Sequence, residues 1–515
     1  MEAIGDRVPR SALGWLLRLA GGGAALLMIA ALLRRTVLDL HRAREALGYP
    51  FGIDYGEGIV WQQALLIPGP RMYGPIDNLP FIVFHYPPVF HLTVRAVMAL
   101  GVDPLAAGRA VSIGATAAIL VCIAWLVTAG LAGRASRSAL IVGAATGALL
   151  PLSFAPVESW FLLMRVDMLA IALSFVGVVL TVLAAQRPAW LLLAMPVFVL
   201  SVYAKQTEIA GPAAALAVLV SVKPRAAILA GLGGAVLGLV AFVWLEWLSA
   251  GGFARHILAY NVNSFSFEAL RTRLSSQAAY APLLLVVVVG LVVMWSEHDA
   301  AAREPDVGTS GAWVVVRTVS LWLLISVVML AMLGKAGAYV NYFIEVACVC
   351  SIAAGLLAGL GWRAVSGETG PRGMVWQLSL VALAMAVAVG MTHRHRPLRI
   401  SPELTAIQEA LVREIAAQDR PVLSEDMVLP LRAGREVPIE TAIFTELART
   451  GQWDQRRLLD LIAAHTFGFV ITQFDCRYPA EIECRYTPEM LGAIARAYPR
   501  VEVRGPYTVH YPNAP

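Results

Sequence analysis

Apolar runs of about 20 residues recur along most of this chain, the length that crosses a hydrocarbon core ~30 Å thick. They fall at residues 12–33, 106–131, 139–154, 168–184, 190–203, 211–222, 226–248, 281–295, 312–333, 339–360 and 376–391. A chain with about eleven such runs folds as an α-helical polytopic membrane protein, because only helices and closed barrels satisfy backbone polar groups in lipid. Composition agrees: 58% of the 515 residues are hydrophobic and 15% are charged, against ~25% charged in an ordinary soluble chain. The net charge of +5 carries no nucleic-acid implication, since in a membrane protein the placement of Arg and Lys is what matters.

That placement sets the topology. Arg7 and Arg10 precede the first run, which is too long for a signal peptide and lacks a small-residue cleavage site, so it reads as an anchor. Residues 86–101 look like a run but are flanked or interrupted by His85, His91 and Arg95, and are expected as a helix lying in the interface. With the amino terminus in the cytoplasm, Arg134, Arg137, Arg187, Lys223, Arg225, Arg303, Arg363 and Arg372 all fall inside. If 86–101 crossed, every later loop would invert. Arg34, Arg35, Arg42 and Arg44 run against the rule, a tension that contact with lipid phosphates would relieve.

An odd number of crossings puts the carboxyl terminus outside. The chain then divides into a transmembrane domain, 1–392, whose first outer loop spans about 34–105, and an extracytoplasmic domain, 393–515. The second is a small α/β domain, with helical spacing at 402–417 and 455–464 and strand character at 467–472 and 507–511. Cys122, Cys348 and Cys350 lie in apolar runs as small core residues. Cys476 and Cys484 lie in the outer domain, where an oxidising compartment would allow a local disulfide.

The chemistry-bearing residues gather at the outer ends of the runs. Phe51-Gly52-Ile53-Asp54-Tyr55-Gly56-Glu57-Gly58 places two carboxylates just past the first run. Acids beside a hydrocarbon slab are costly unless paired or wet, so they mark chemistry; the competing reading is a solvated turn capped by Asp54. On the same face fall His85 and Tyr86 before Pro87-Pro88, then Glu158, Arg165 and Asp167, then Lys205 and Glu208. Arg255, His256, Tyr260 and Asn261 follow, and then Lys335, Asn341, Tyr342 and Glu345. For the cations the plain alternative is snorkelling to headgroups. Glu345 lies within an apolar run and needs a partner, for which Lys335 is the candidate. Acids and cations on one face suit a site that needs a proton acceptor and holds an anion.

In their order these segments resemble the GT-C superfamily of integral-membrane glycosyltransferases, of the protein mannosyltransferase, aminoarabinose transferase and oligosaccharyltransferase kind. The resemblance is carried by Asp54-Tyr55-Gly56-Glu57, Tyr86-Pro87-Pro88, Arg165-Val166-Asp167, Lys205-Gln206, and Gly334-Lys335 through Asn341-Tyr342 before Glu345. It implies transfer of a sugar, with inversion, from a polyprenyl-phosphate-linked donor to a hydroxyl or amine on an acceptor glycan, lipid or protein. On residue match Asp54 is the general base, with Glu57 as the alternate, and Asp167 orients the acceptor. Arg165, Lys205 and Lys335 hold the donor phosphate, and His85, Tyr86, Tyr260, Asn341 and Glu345 are candidate substrate contacts. Some members use a divalent cation; Mg or Mn on Asp54 and Asp167 is permitted here and not required. The Ala/Arg-rich style points to a bacterial inner membrane. A transporter or flippase of lipid-linked amphiphiles would also collect charges at helix ends, but no inverted repeat is visible. A non-catalytic scaffold would leave the acids unexplained.

Overall fold

The structure, a computed structural model, describes residues 12–261, 263–301, 311–367, 373–393, 397–473 and 485–513. Arg7, Arg10, Arg303, Arg372, Cys476 and Cys484 lie outside the described residues. Among those described, eight helices are long and apolar enough to cross a membrane: Trp15–Gly48, Pro104–Leu131, Asp167–Ala184, Pro224–Leu248, Ala278–Glu297, Gly311–Gly334, Val340–Val365 and Gly373–Gly390. The other three expected runs are helical but shorter, at Arg137–Ser153, Pro188–Ala204 and Ala210–Val222. The expected eleven or so runs thus comprise eight helices of spanning length and three shorter apolar ones.

Residues 86–101 contain the helix Val89–Met98, whose 10 residues span about 15 Å, half of a ~30 Å slab. Phe90, His91 and Val94 are buried on one side of it. Arg95 turns back to the carbonyls of Leu65 (2.8 Å) and Ile67 (3.2 Å), which end the helix Gly56–Leu66.

The first helix, Ala12–Gly48, is 37 residues and so about 55 Å long, more than a bilayer core requires. On its last turns Arg35, Asp39 and Arg42 share one face, all buried. Arg42 Nη1 reaches Asp39 Oδ1 at 3.1 Å and Glu158 Oε1 at 3.2 Å, while Arg35 pairs with Glu158 and bonds His393 Nε2 at 2.8 Å. This corrects the expectation for the arginine cluster. Arg35 and Arg42 satisfy one another's counter-ions inside the protein, and only Arg34 and Arg44 face outward.

The bundle is organised on Val340–Val365, whose apolar window is 94% buried. Gly355 and Gly359 of that helix lie against Gly143 and Gly147 of Arg137–Leu149. A Cβ at Gly143 would sit 2.8 Å from the Gly355 carbonyl oxygen, and one at Gly355 equally close to that of Gly143. Small residues four apart on both helices let the two backbones touch.

The carboxyl-terminal region builds a four-stranded sheet from β1 (Leu423–Ser424), β2 (Val470–Thr472), β3 (Arg500–Arg504) and β4 (Tyr507–Tyr511), in the order β1-β2-β4-β3. β1 runs parallel to β2, and the other pairings are antiparallel. Helices Pro402–Ala416 and Arg456–Ala463 match the sequence reading, as does β4. This sheet does not close a core by itself. Phe51, Ile59, Trp61, Phe84 and Phe90 of the first loop pack in one apolar cluster with Leu411, Ile415, Val422, Met427, Val428, Phe469 and Val509. Phe81 pairs in parallel with Ile439 and donates its N–H to Pro438 O at 2.8 Å, so the loop adds a rung of backbone to the soluble domain.

Candidate functional site

Two acid–cation pairs stand where the first loop meets the bundle. Asp54 Oδ2 lies 2.9 Å from Arg165 Nε and accepts the Gly56 N–H at 2.9 Å, leaving Oδ1 without a partner among the described residues. Both side chains are partly exposed, at 23% and 18%. Gly56 is required here: a Cβ would collide with the Arg165 guanidinium. The second pair is sealed deeper. Asp167 Oδ1 meets Lys205 Nζ at 2.8 Å and accepts from Asn341 Nδ2 at 2.7 Å, while Oδ2 accepts from Trp160 Nε1 at 2.9 Å. Trp160 also lies under Arg165, and Tyr342 under Lys205, each at cation–π distance. Burial alone would lower the Lys205 ammonium, but Asp167, Tyr342 and Glu208 outweigh it and hold the lysine charged. Tyr86 feels Asp167, Arg165 and Lys205 together, and burial foremost pushes its phenol up to about 12.

Glu57, three residues beyond Asp54, is in different surroundings. Arg109 Nε and Nη2 donate to its two oxygens at 2.9 and 2.7 Å, and the N–H groups of Met164 and Ile53 complete the set at 3.0 and 2.8 Å. Arg109 also donates to the carbonyls of Ala46, Tyr49 and Phe51. Neither side chain is exposed. Burial raises the Glu57 carboxyl, yet the charge and hydrogen bonds of Arg109 prevail and hold it below its ordinary value.

Lys335 joins the site from another direction. Its Nζ donates to Asn261 O at 2.9 Å; Asn261 Nδ2 donates to His85 O at 3.2 Å, and Gln206 Nε2, beside Lys205, donates to the same carbonyl at 2.9 Å. Among the described residues Lys335 has no carboxylate partner, and burial lowers its ammonium. The expected pairing with Glu345 is corrected: Glu345 Oε1 accepts from Trp322 Nε1 at 2.7 Å, while the Lys335 ammonium reaches Asn261 and the Lys335 backbone pairs with Phe265. Tyr260 packs edge-on against His256, with ring centroids 5.1 Å apart.

No family model and no curated protein matches the sequence. Among solved structures, the chain superposes on ArnT from Cupriavidus metallidurans in the apo state, with a TM-score of 0.55 and 14% identity over 94% of this chain and 98% of that one. It also superposes on the same protein bound to undecaprenyl phosphate, with a TM-score of 0.52 and 12% identity over 98% and 99%. The chain has the fold of ArnT. An oligosaccharyltransferase from Archaeoglobus fulgidus aligns more loosely, with a TM-score of 0.49 and 12% identity over 87% of this chain and 69% of that one.

On this fold Arg109 and Glu440 escaped the sequence reading. Arg109 lies within an apolar run, and its lone charge there was the available signal. Glu440 comes from the soluble domain, with Oε2 3.8 Å from His85 Nε2, and it acts electrostatically on Arg165. Nothing in its local sequence marks it. Asp54 and Asp167 are each engaged by a cation, and among the described residues no group of three or more His, Cys, Asp or Glu is placed to hold a metal ion.

Proposed function

We propose that this protein is an inverting membrane glycosyltransferase that moves a sugar from a polyprenyl-phosphate-linked donor to an acceptor hydroxyl or amine. One observation carries the reading: a carboxylate with an unspent oxygen, Asp54 Oδ1, stands at one end of a membrane helix bundle beside Arg165, which also feels Asp167, the partner of the buried Lys205. The undecaprenyl phosphate bound to the ArnT of like fold supports the donor class.

In this scheme the acceptor oxygen or nitrogen attacks the anomeric carbon on the face opposite the phosphate. The carbon–oxygen bond to the phosphate breaks, and its electron pair leaves with the lipid phosphate. Asp54 Oδ1 takes the acceptor proton, a role worth ~10²–10⁴-fold when the base is positioned. Lys335 holds the departing phosphate, and Lys205 and Arg165 add to the positive field that meets the growing charge. Asp167 aims Lys205 and Asn341, and Glu57, with no free lone-pair direction, holds the loop. We put the Asp54 face on the outer side of a bacterial inner membrane, with the soluble domain in the periplasm, from the Lys/Arg asymmetry of the loops.

The test is cleavage of a panel of undecaprenyl-phosphate-linked sugars by the purified protein, wild type against Asp54→Asn. Loss of cleavage in a folded variant supports the scheme, and equal cleavage removes Asp54 as base. Movement of labelled lipid across a vesicle bilayer with no cleavage would favour a flippase instead.

A further inference from the structure

The soluble domain brings Glu440 to the site. Glu440 is 7% exposed, and among the described residues its Oε2 has no hydrogen-bond partner. It is the N-cap residue of the helix Thr441–Arg449, where a side-chain oxygen can accept from the first N–H groups. Here it makes no such bond. Tyr55, the residue after Asp54, does the capping: its hydroxyl accepts the Ala442 N–H at 3.2 Å and lies 3.4 Å from Thr441 Oγ1. Freed from its own helix, Glu440 turns toward the first loop. The charged and titratable groups that face it are His85 and Tyr55 from that loop, Arg165 from the bundle and Arg485 from its own domain. Burial pushes its carboxyl up to about 7 against the pull of Arg165 and Arg485. Burial likewise holds His85 neutral, at about 3, so His85 is no counter-ion.

A buried acceptor atom left without a partner costs ~1–3 kcal/mol, so a ligand that donates a hydrogen bond is favoured there. A carboxylate repels phosphate, which excludes the donor's lipid-phosphate end; that end belongs with Lys335. We infer that Glu440 is an acceptor-binding residue: it accepts a hydrogen bond from a hydroxyl or amine of the acceptor, so that the soluble domain completes the acceptor side of the site. This rests on the transferase reading above and names which domain selects the acceptor.

The experiment uses the full chain in detergent, the undecaprenyl-phosphate-linked sugar that it cleaves, and octyl glucoside and octylamine as minimal hydroxyl and amine acceptors. Expected for Glu440→Gln is an acceptor KM raised about tenfold to a hundredfold, the worth of a hydrogen bond to a charged group, with donor binding and melting temperature unchanged. In the wild type the acceptor KM should rise as pH falls through about 7, as the carboxylate is protonated, and in Glu440→Gln this dependence should vanish. Glu440→Asp should restore part of the affinity and all of the pH dependence, which keeps the test open if Glu440→Gln unfolds. An unchanged acceptor KM with an unchanged pH profile overturns the inference and leaves the transferase intact. So does a wild type that cleaves the donor but transfers to neither probe. A wild type that cleaves no donor overturns the underlying function instead.

Discussion

Asp54 and Glu57 are three residues apart in one loop, each is bound to an arginine, and they could hardly be less alike. Asp54–Arg165 is partly open, spends one carboxylate oxygen and keeps the other. Glu57–Arg109 is shut away from solvent, and every direction of both side chains is used by protein. The second arrangement offers nothing to a substrate. What it does is tie the first loop to the helices Ala12–Gly48 and Pro104–Leu131 through Ala46, Tyr49 and Phe51, and so fix where Asp54 stands. Residue type and spacing do not separate a reacting acid from a structural one; unspent lone pairs do.

The comparison breaks most readily at Asp54. Asp54→Asn should lower sugar transfer by ~10²–10⁴-fold, the worth of a general base, while its melting temperature in detergent stays near that of the wild type. The next largest effect belongs to the sealed pair and reads in the other observable. Arg109→Ala strands a buried carboxylate and should cost ~3–5 kcal/mol of stability, seen as a lower melting temperature or loss of folded protein. Should Asp54→Asn melt early, or Arg109→Ala fold well and lose only turnover, the roles of the two pairs would have to be exchanged.

Much of the site was legible because membranes make charge conspicuous. Arg165, Asp167, Lys205, Lys335 and Asn341 each sit at the end of an apolar run, where an ionisable or amide group is costly without a purpose. The partners were not legible. Glu345 was expected to meet Lys335, ten residues away, but pairing depends on which neighbour each side chain faces, and Glu345 meets Trp322 of another helix. Arg35 and Arg42 were expected at lipid phosphates, and their spacing could not reveal Glu158 more than a hundred residues on. Glu440 was beyond reach altogether, since its role arises from Tyr55 capping a helix of another domain.

Lys335 sharpens the comparison from the cation side. Arg165 and Lys205 are each neutralised by an acid, whereas among the described residues Lys335 donates only to the Asn261 carbonyl. Its charge is therefore the one most available to an added anion. Lys335→Ala should weaken binding of undecaprenyl phosphate by about tenfold to a hundredfold, the ~1.5–3 kcal/mol of a charge-assisted hydrogen bond. A titration that shows the same affinity in both proteins would return the phosphate to Lys205 and Arg165.

The smallest effect is expected where a third acid–arginine pair lies at the rim. Asp103 is bound by Arg432 of the soluble domain, with Arg432 Nη2 3.0 Å from Asp103 Oδ1, and the aspartate side chain is 41% exposed. Asp103 also caps its helix by accepting the N–H groups of Leu105 and Ala106. Asparagine caps nearly as well, so Asp103→Asn removes the charge pair and little else. A pair in contact with water is worth ~0–1 kcal/mol, and the soluble domain is held on by the apolar core it shares with the first loop. The melting temperature should thus barely move and turnover should be unchanged. A drop as large as that of Arg109→Ala would mean that the rim pair, and not the shared core, docks the domain, and solvent exposure would then no longer rank the three pairs.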